Sequence, residues 1–455
     1  MRGVTRRAVL GGMTAAMAAP AWSQPATRPI LIRGAYVMTM GPDGDMPEAD
    51  VLVADGRIER VGAALSVPNV EIVAGEGRIV LPGFVDTHTH LWLSQMRGLF
   101  SRSEATAYFP LVEQLGARYR PEDMRIGTLF GAAGNLDAGI TTTFPYCDNI
   151  RRPADAEAAL AALVRSGTRA RFHYTGHDAL PPEDYVDLDH LRALAARSDF
   201  GGDGLIELAF GLRVPRQDGR EAAKARALDE LAIARALGLP ISTHVSGADG
   251  PSQLAWLVEN GLPGPDMLLV HATDAPPDLL AAVARAGAGV ALTPITEQRV
   301  GFGITRISDF DLVSGSLALG IDGALAGAPD MFAVMRMLHN VEAGASGDEL
   351  AILPRRLLEL ATIDGARTVG LSDRVGSIEP GKAADLIMVN TEAVNMGPVE
   401  DDPSALLVYS AGSRNVEAVM VAGRWRKRAG ALTDLDPEQL AAAAAVSLDA
   451  IMRDE

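Results

Sequence analysis

The chain has 455 residues, 48% of them apolar and 22% charged, with a formal net charge of −17. That length allows a large core with an attached unit, and the acidic balance argues against nucleic-acid binding, which would need a clustered basic face. Cys147 is the only cysteine, so the chain has no internal disulfide and no cysteine-based zinc site, and any metal rests on His, Asp or Glu.

In chain order, residues 1–26 read as a targeting segment. Arg6-Arg7 precedes a short apolar stretch, Ala8 to Ala19, and a small-residue site, Ala21-Trp22-Ser23. This is the pattern of a twin-arginine export signal, which predicts a periplasmic or secreted protein. The stretch is shorter than the ~20 residues a helix needs to cross a bilayer. No later segment has a long uninterrupted apolar run, so no membrane span is expected.

Residues 28–80 read as short strands, with a hairpin signal at Asp55-Gly56. From Pro82 the pattern becomes strand, loop, helix, repeated. The predicted strands are Phe84 to His90, Gly139 to Phe144, Arg169 to Tyr174, Leu205 to Phe210, Leu239 to Val245, Met267 to His271, Gly289 to Thr293 and Ser316 to Asp322. Helices are predicted over Ala154 to Ser166, Arg220 to Leu237, Pro251 to Asn260, Pro276 to Ala286 and Pro329 to Asn340. The strands are nearly continuous in Val, Ile, Leu and Ala, as parallel strands buried on both faces require. Eight such units predict a (β/α)8 barrel over residues 81–372. A helix is then expected from Asp348 to Thr362, β structure again over residues 373–430, and an Ala-rich helix within residues 435–453.

In such a barrel, chemistry collects where strands end at one face. His88 and His90 end the first predicted strand, and at i, i+2 they point to one side. His244 ends the fifth strand, His271 the sixth and Asp322 the eighth. Four of the eight histidines and a glycine-flanked aspartate thus fall where an active site would assemble.

The run Pro82-Gly83-Phe84-Val85-Asp86-Thr87-His88-Thr89-His90, the His of Thr243-His244-Val245, the His of Leu269-Val270-His271-Ala272 and the Asp of Leu319-Gly320-Ile321-Asp322-Gly323 resemble the amidohydrolase superfamily. The similarity is to the branch of atrazine chlorohydrolase, cytosine deaminase and related heterocycle deaminases. The closing run from Gly376 to Asn390 carries the same resemblance. It implies an α/β fold, a TIM barrel with a small composite β-sandwich formed by residues 28–80 and 373–430. It also implies one divalent metal held by His88, His90, His244 and Asp322, with His271 as a catalytic histidine and Asp322 doubling as base. Three imidazoles and a carboxylate suit Zn²⁺ first, and Fe²⁺ or Mn²⁺ by ligand type. Many relatives bridge two metals through a modified lysine. Here the only lysines are Lys224, Lys382 and Lys427, and none ends a predicted barrel strand, so one metal is expected.

One departure stands out. Deaminases of this branch carry H-x-x-E after the fifth strand, whereas here the run is His244-Val245-Ser246-Gly247. Glu297, just past the seventh strand, is the candidate to supply the missing carboxylate; the alternative is a loop ion pair with Arg299 or Arg306. Gln95, Arg97 and His177 are candidate substrate contacts, although Arg97 also suits a structural anchor. Trp92, Phe100, Tyr108 and Phe109 fall in the long loop after the first strand, as a lid over a flat substrate or as core. Asp148 and Cys147 close the second strand without a reason to prefer function.

The combined reading is an exported metal-dependent amidohydrolase that uses metal-activated water on a C–N bond of a small amide, cyclic amide or N-heterocycle. The alternatives are a deaminase or dehalogenase of a triazine- or purine-like ring, and a non-catalytic periplasmic binding protein. The expected partner is a small-molecule substrate; assembly into a homo-oligomer is left open, though relatives are often dimers or larger.

Overall fold

The computed structural model describes residues 28–197, 199–216 and 219–453. The segment read as an export signal lies outside these residues. Eight parallel strands form the core: β1 (Phe84–Thr89), β2 (Ile140–Ile150), β3 (Arg169–Gly176), β4 (Ile206–Leu212), β5 (Ile241–Val245), β6 (Met267–His271), β7 (Gly289–Leu292) and β8 (Leu317–Leu319). Each pairs with its neighbours in chain order. The ring closes where Thr89 bridges Asp322, through Asp322 N–H to the His88 carbonyl at 2.8 Å and His90 N–H to the Asp322 carbonyl at 3.0 Å. Gly320 is dictated by this closure, since a Cβ there would meet the His88 carbonyl oxygen at 2.8 Å. The chain therefore belongs to the (β/α)8 class. Every residue of β1, β6, β7 and β8 is buried, as expected of strands covered on both faces.

A second sheet of nine strands joins the two ends of the chain. Its N-terminal part runs from Ile30–Val37 to Arg78–Pro82, and its C-terminal part from Leu386–Asn390 to Ala431–Leu432. The seam is an antiparallel pairing that sets Leu386 opposite Pro82 and Asn390 opposite Arg78. Because Pro82 leads through Gly83 into β1, this sheet delivers the chain directly to the histidine strand.

Two expectations are corrected. The segment after β1 is not a loop: Leu91–Met96 forms a 3₁₀ turn, followed by α1 (Tyr108–Gly116) and α2 (Pro121–Asp137). Pro121 opens α2, with Glu122 and Asp123 in its first turn, a start signal that the glycines at 127, 131 and 134 mask in a periodicity reading. The helix expected from Asp348 to Thr362 shrinks to Pro354–Leu360, since Pro354 fixes the first turn and cannot continue a helix begun earlier. Its expected stripe, Ile352, Leu357, Leu358 and Leu360, is nevertheless buried.

Candidate metal centre

At the C-terminal mouth of the barrel, one donor atom from each of His88, His90, His244 and Asp322 lies within 4.8 Å of the others. His88 Nε2 stands 3.1 Å from His90 Nε2, 3.0 Å from His244 Nε2 and 3.2 Å from Asp322 Oδ1; His90 Nε2 is 3.1 Å from the same oxygen. Tetrahedral ligands at ~2.0–2.1 Å from one ion stand roughly 3.3 Å apart, so these separations fit a single small cation. His90 hydrogen-bonds Asp148 Oδ1 through Nδ1 at 2.9 Å. That bond fixes the tautomer in which Nε2 offers its lone pair to the centre.

The electrostatics ask for positive charge. Burial pushes His88 down to about 4 and holds His244 well below its ordinary range, where the neighbouring imidazoles add to the effect. Burial works the same way on His90, yet Asp148 and Asp322 outweigh it and push that ring up to about 10. The Asp322 carboxyl is held well below the usual range against burial, first by hydrogen bonds from His88 and His90. Two carboxylates, one buried and one nearly so, thus face one cluster of imidazoles. Either a proton or a divalent cation meets that demand, and four convergent donors suit the cation.

His271 and Asp322 both sit in the left-handed region, with φ of 73° and 63°. For residues with a Cβ this conformation stores strain, and it turns both side chains inward at their strand ends. Asp322 splits its two oxygens. Oδ1 faces His88 and His90, while Oδ2 faces the Thr293 hydroxyl at 3.3 Å and His271 Nε2 at 3.9 Å.

Glu297 is neither a solvated loop residue nor paired with Arg299 or Arg306. It is fully buried on the short helix Pro294–Arg299. Its Oε1 accepts from His271 Nδ1 at 3.0 Å and from the Thr293 N–H at 2.8 Å, and Oε2 accepts from the Thr305 hydroxyl. It therefore stands behind His271 and orients Nε2 toward Asp322. Arg306 instead pairs with Asp309, and Arg299 reaches the Ala326 carbonyl.

The candidate substrate contacts fall differently. Arg97 is an anchor: its guanidinium donates to the Ala324 carbonyl at 2.9 Å and the Ser94 hydroxyl at 3.3 Å, and it lies over the Phe130 ring. Gln95 is buried in the 3₁₀ turn after β1. His177 follows β3 half-buried at the rim, and burial, with Arg151 and Arg213 nearby, lowers it to about 4. Trp92 is core, with its indole N–H on Asp148. Tyr108 packs so tightly on Gly323 that a Cβ there would meet its ring at 2.7 Å. Phe109 is half exposed beside Phe302, whose ring lies 5.2 Å from that of His271.

Asp148, Thr293, Thr305 and Phe302 carry structural weight at the centre that the sequence reading did not assign. For Asp148 a signal existed: it continues the alternation Phe144, Tyr146, Asp148 along β2, beside the histidine strand. Thr293 ends the seventh strand as read from the sequence, so the same strand-end signal pointed to it, while Thr305 and Phe302 lie on the segment beyond, whose course no periodicity reveals.

The family model described as the amidohydrolase family matches residues 79–426. The 5'-deoxyadenosine deaminase of Methanobrevibacter smithii is 27% identical over 433 residues, 90% of this chain and 95% of that protein. The 5-methylthioadenosine/S-adenosylhomocysteine deaminase of Pelotomaculum thermopropionicum is 27% identical over 434 residues, 91% of this chain and 97% of that one. Among solved structures, an adenosine deaminase from Xanthomonas campestris with bound zinc superposes with a TM-score of 0.79 at 24% identity, covering 93% of this chain and 98% of that one. A triazine hydrolase variant superposes at 0.81 with 21% identity, covering 93% and 100%.

Proposed function

The chain belongs to the amidohydrolase family, and from that premise we propose that it removes an amino group as ammonia from a ring carbon of a small N-heterocycle, at a mononuclear centre of His88, His90, His244 and Asp322. It is a metal-dependent hydrolase of C–N bonds other than peptide bonds. The observation that carries the finer reading is the convergence of four donors from β1, β5 and the end of β8 on one point. The names of the deaminating relatives favour an aminated ring over a linear amide.

A divalent cation held there, zinc first, supplies the Lewis acidity that makes water a nucleophile near neutral pH. The protein does the rest. Asp322 commits Oδ1 to the imidazoles and keeps Oδ2 toward Thr293 and His271, where it takes the proton of the attacking water. His271 presents Nε2 to the ring atom that gains charge. Where the resemblance calls for a glutamate, Gly247 stands against the Phe302 ring. Protons for the ring and the leaving amine therefore pass by His271, kept in register by Glu297. The Arg6-Arg7 segment and the apolar stretch after it support placing this reaction outside the cytoplasm.

The test is a screen of aminated purines, pyrimidines and triazines with zinc-loaded protein, read by ammonia release, with His244→Ala as the blank. Ammonia from at least one ring, absent from the blank, is the expected result. Turnover that releases another leaving group would replace deamination with that chemistry, and an inert, fully loaded protein would overturn the reading.

A further inference from the structure

The carboxylate of Asp148 serves two masters. Its Oδ1 accepts from His90 Nδ1 at 2.9 Å and from the Trp92 indole N–H at 2.7 Å. Its side chain is 11% exposed, Trp92 is 2% exposed and His90 3%. Charge-assisted bonds of this kind, away from water, fix ring orientation strongly.

Trp92 is itself held rigidly. Its ring packs edge-on against Tyr119 at 5.2 Å between centroids, and the Tyr119 hydroxyl donates to the Trp92 carbonyl at 3.2 Å. Helix α2 presses on the same turn: a Cβ at Gly127 would meet the Trp92 carbonyl oxygen at 2.4 Å, so only glycine permits the approach. Beyond this turn the chain continues into α1, which begins with Tyr108 against Gly323.

We infer that Asp148 is the positioning residue of the metal centre: it aims His90 at the cation and, through Trp92, ties occupancy of the centre to the segment between β1 and α2. The inference rests on the ligand set proposed above. The carboxylate touches neither substrate nor cation. It acts by holding one ligand ring in one tautomer and one orientation, and outer partners of this kind are typically worth ~10–100-fold in metal affinity. Because the indole N–H shares the same oxygen, cation binding at His90 changes the hydrogen bond that Trp92 feels. Trp92 is thereby a built-in reporter among the four tryptophans of the chain.

The experiment measures Zn²⁺ affinity of the full-length protein by chelator competition, together with tryptophan emission and the visible spectrum of the Co²⁺-substituted form. Four proteins are compared: the parent, Asp148→Asn, Asp148→Glu and Trp92→Phe. Asp148→Asn should weaken Zn²⁺ about 10–100-fold and alter the Co²⁺ spectrum, while melting of the metal-stripped protein stays near the parent's. Asp148→Glu should recover part of the loss. Trp92→Phe should keep affinity within about threefold but abolish the metal-dependent change in emission. Parent-like affinity and spectrum in Asp148→Asn would overturn the inference while leaving the ligand set intact. Equal losses in Asp148→Asn and Trp92→Phe would also overturn it, by showing that loop packing rather than the carboxylate matters. A parent that binds no metal would instead sink the ligand set itself.

Discussion

The two ends of the barrel bury carboxylates in opposite ways. At the base, Arg169 forks onto Asp385 at 2.8 and 3.0 Å and so bolts the barrel to the nine-stranded sheet. Beside it, Glu207 takes Arg171 at 2.9 Å and Arg374, and Arg171 leads the effects that overcome burial and hold its carboxyl below the usual range. At the mouth, Asp322 and Glu297 are buried and Asp148 nearly so, and they find imidazoles, hydroxyls, an indole and backbone N–H groups. At the base the sequence supplies its own counter-charge. At the mouth the cation has to come from outside, and the strained φ angles of His271 and Asp322 fall at that end. One end of the same fold is built for stability, the other for chemistry.

The contrast breaks most visibly at the ligands. Asp322→Asn or His244→Ala should abolish turnover by roughly a thousandfold or more, since several kcal/mol of transition-state stabilisation rest on the cation. Circular dichroism should show the fold retained, and collapse of the fold would mean that the mouth also carries stability. The mirror-image change is Asp385→Ala, which strands a buried guanidinium. Chemical denaturation should show a loss of about 3–5 kcal/mol, with Zn²⁺ affinity of the folded protein unchanged.

A finer cut separates Glu297 from the ligands. Glu297→Gln keeps the shape but loses the charge behind His271. It should lower kcat by about 10–100-fold, with one metal per chain retained. Loss of the metal instead would move Glu297 into the ligand-holding class. A pH-dependent test concerns Asp86, fully buried beneath His88 and hydrogen-bonded to Asn135, Thr143 and the Ile321 N–H. Burial raises it from 3.8 to about 7. The folded state binds this proton more tightly, so its contribution to stability is full below pH 3.8, declines as pH rises to about 7 and is flat beyond. Asp86→Asn should flatten that part of the pH dependence of unfolding, and an unchanged slope would show that Asp86 titrates elsewhere.

Much of this was legible in the residues. Aliphatic runs mark β4, β6, β7 and β8, where burial on both faces leaves little choice of side chain. By contrast, β1, β2, β3 and β5 carry Thr, Ser, His, Arg or aromatic residues and are read from their place in the strand-helix alternation. His88, His90, His244 and Asp322 stand out because each falls at or near the end of a strand read from the sequence. What lay hidden depends on contacts between segments distant in the chain. Arg97 reads either as a loop anchor or as a substrate contact until the Ala324 carbonyl, 227 residues away, is seen to take it. Glu297 reads equally as a replacement carboxylate and as a loop charge until Thr305 and His271 are seen to close around it. The helices after β1 escaped because α2 is rich in glycine, which propensity reads against a helix and packing on the Leu91–Met96 turn requires.

The most direct measurement is metal content. After zinc loading and removal of loose ions, elemental analysis should give one divalent cation per chain in the parent and none in folded His88→Ala and Asp322→Ala. A parent without metal, or variants that keep it, would contradict a centre built from these side chains.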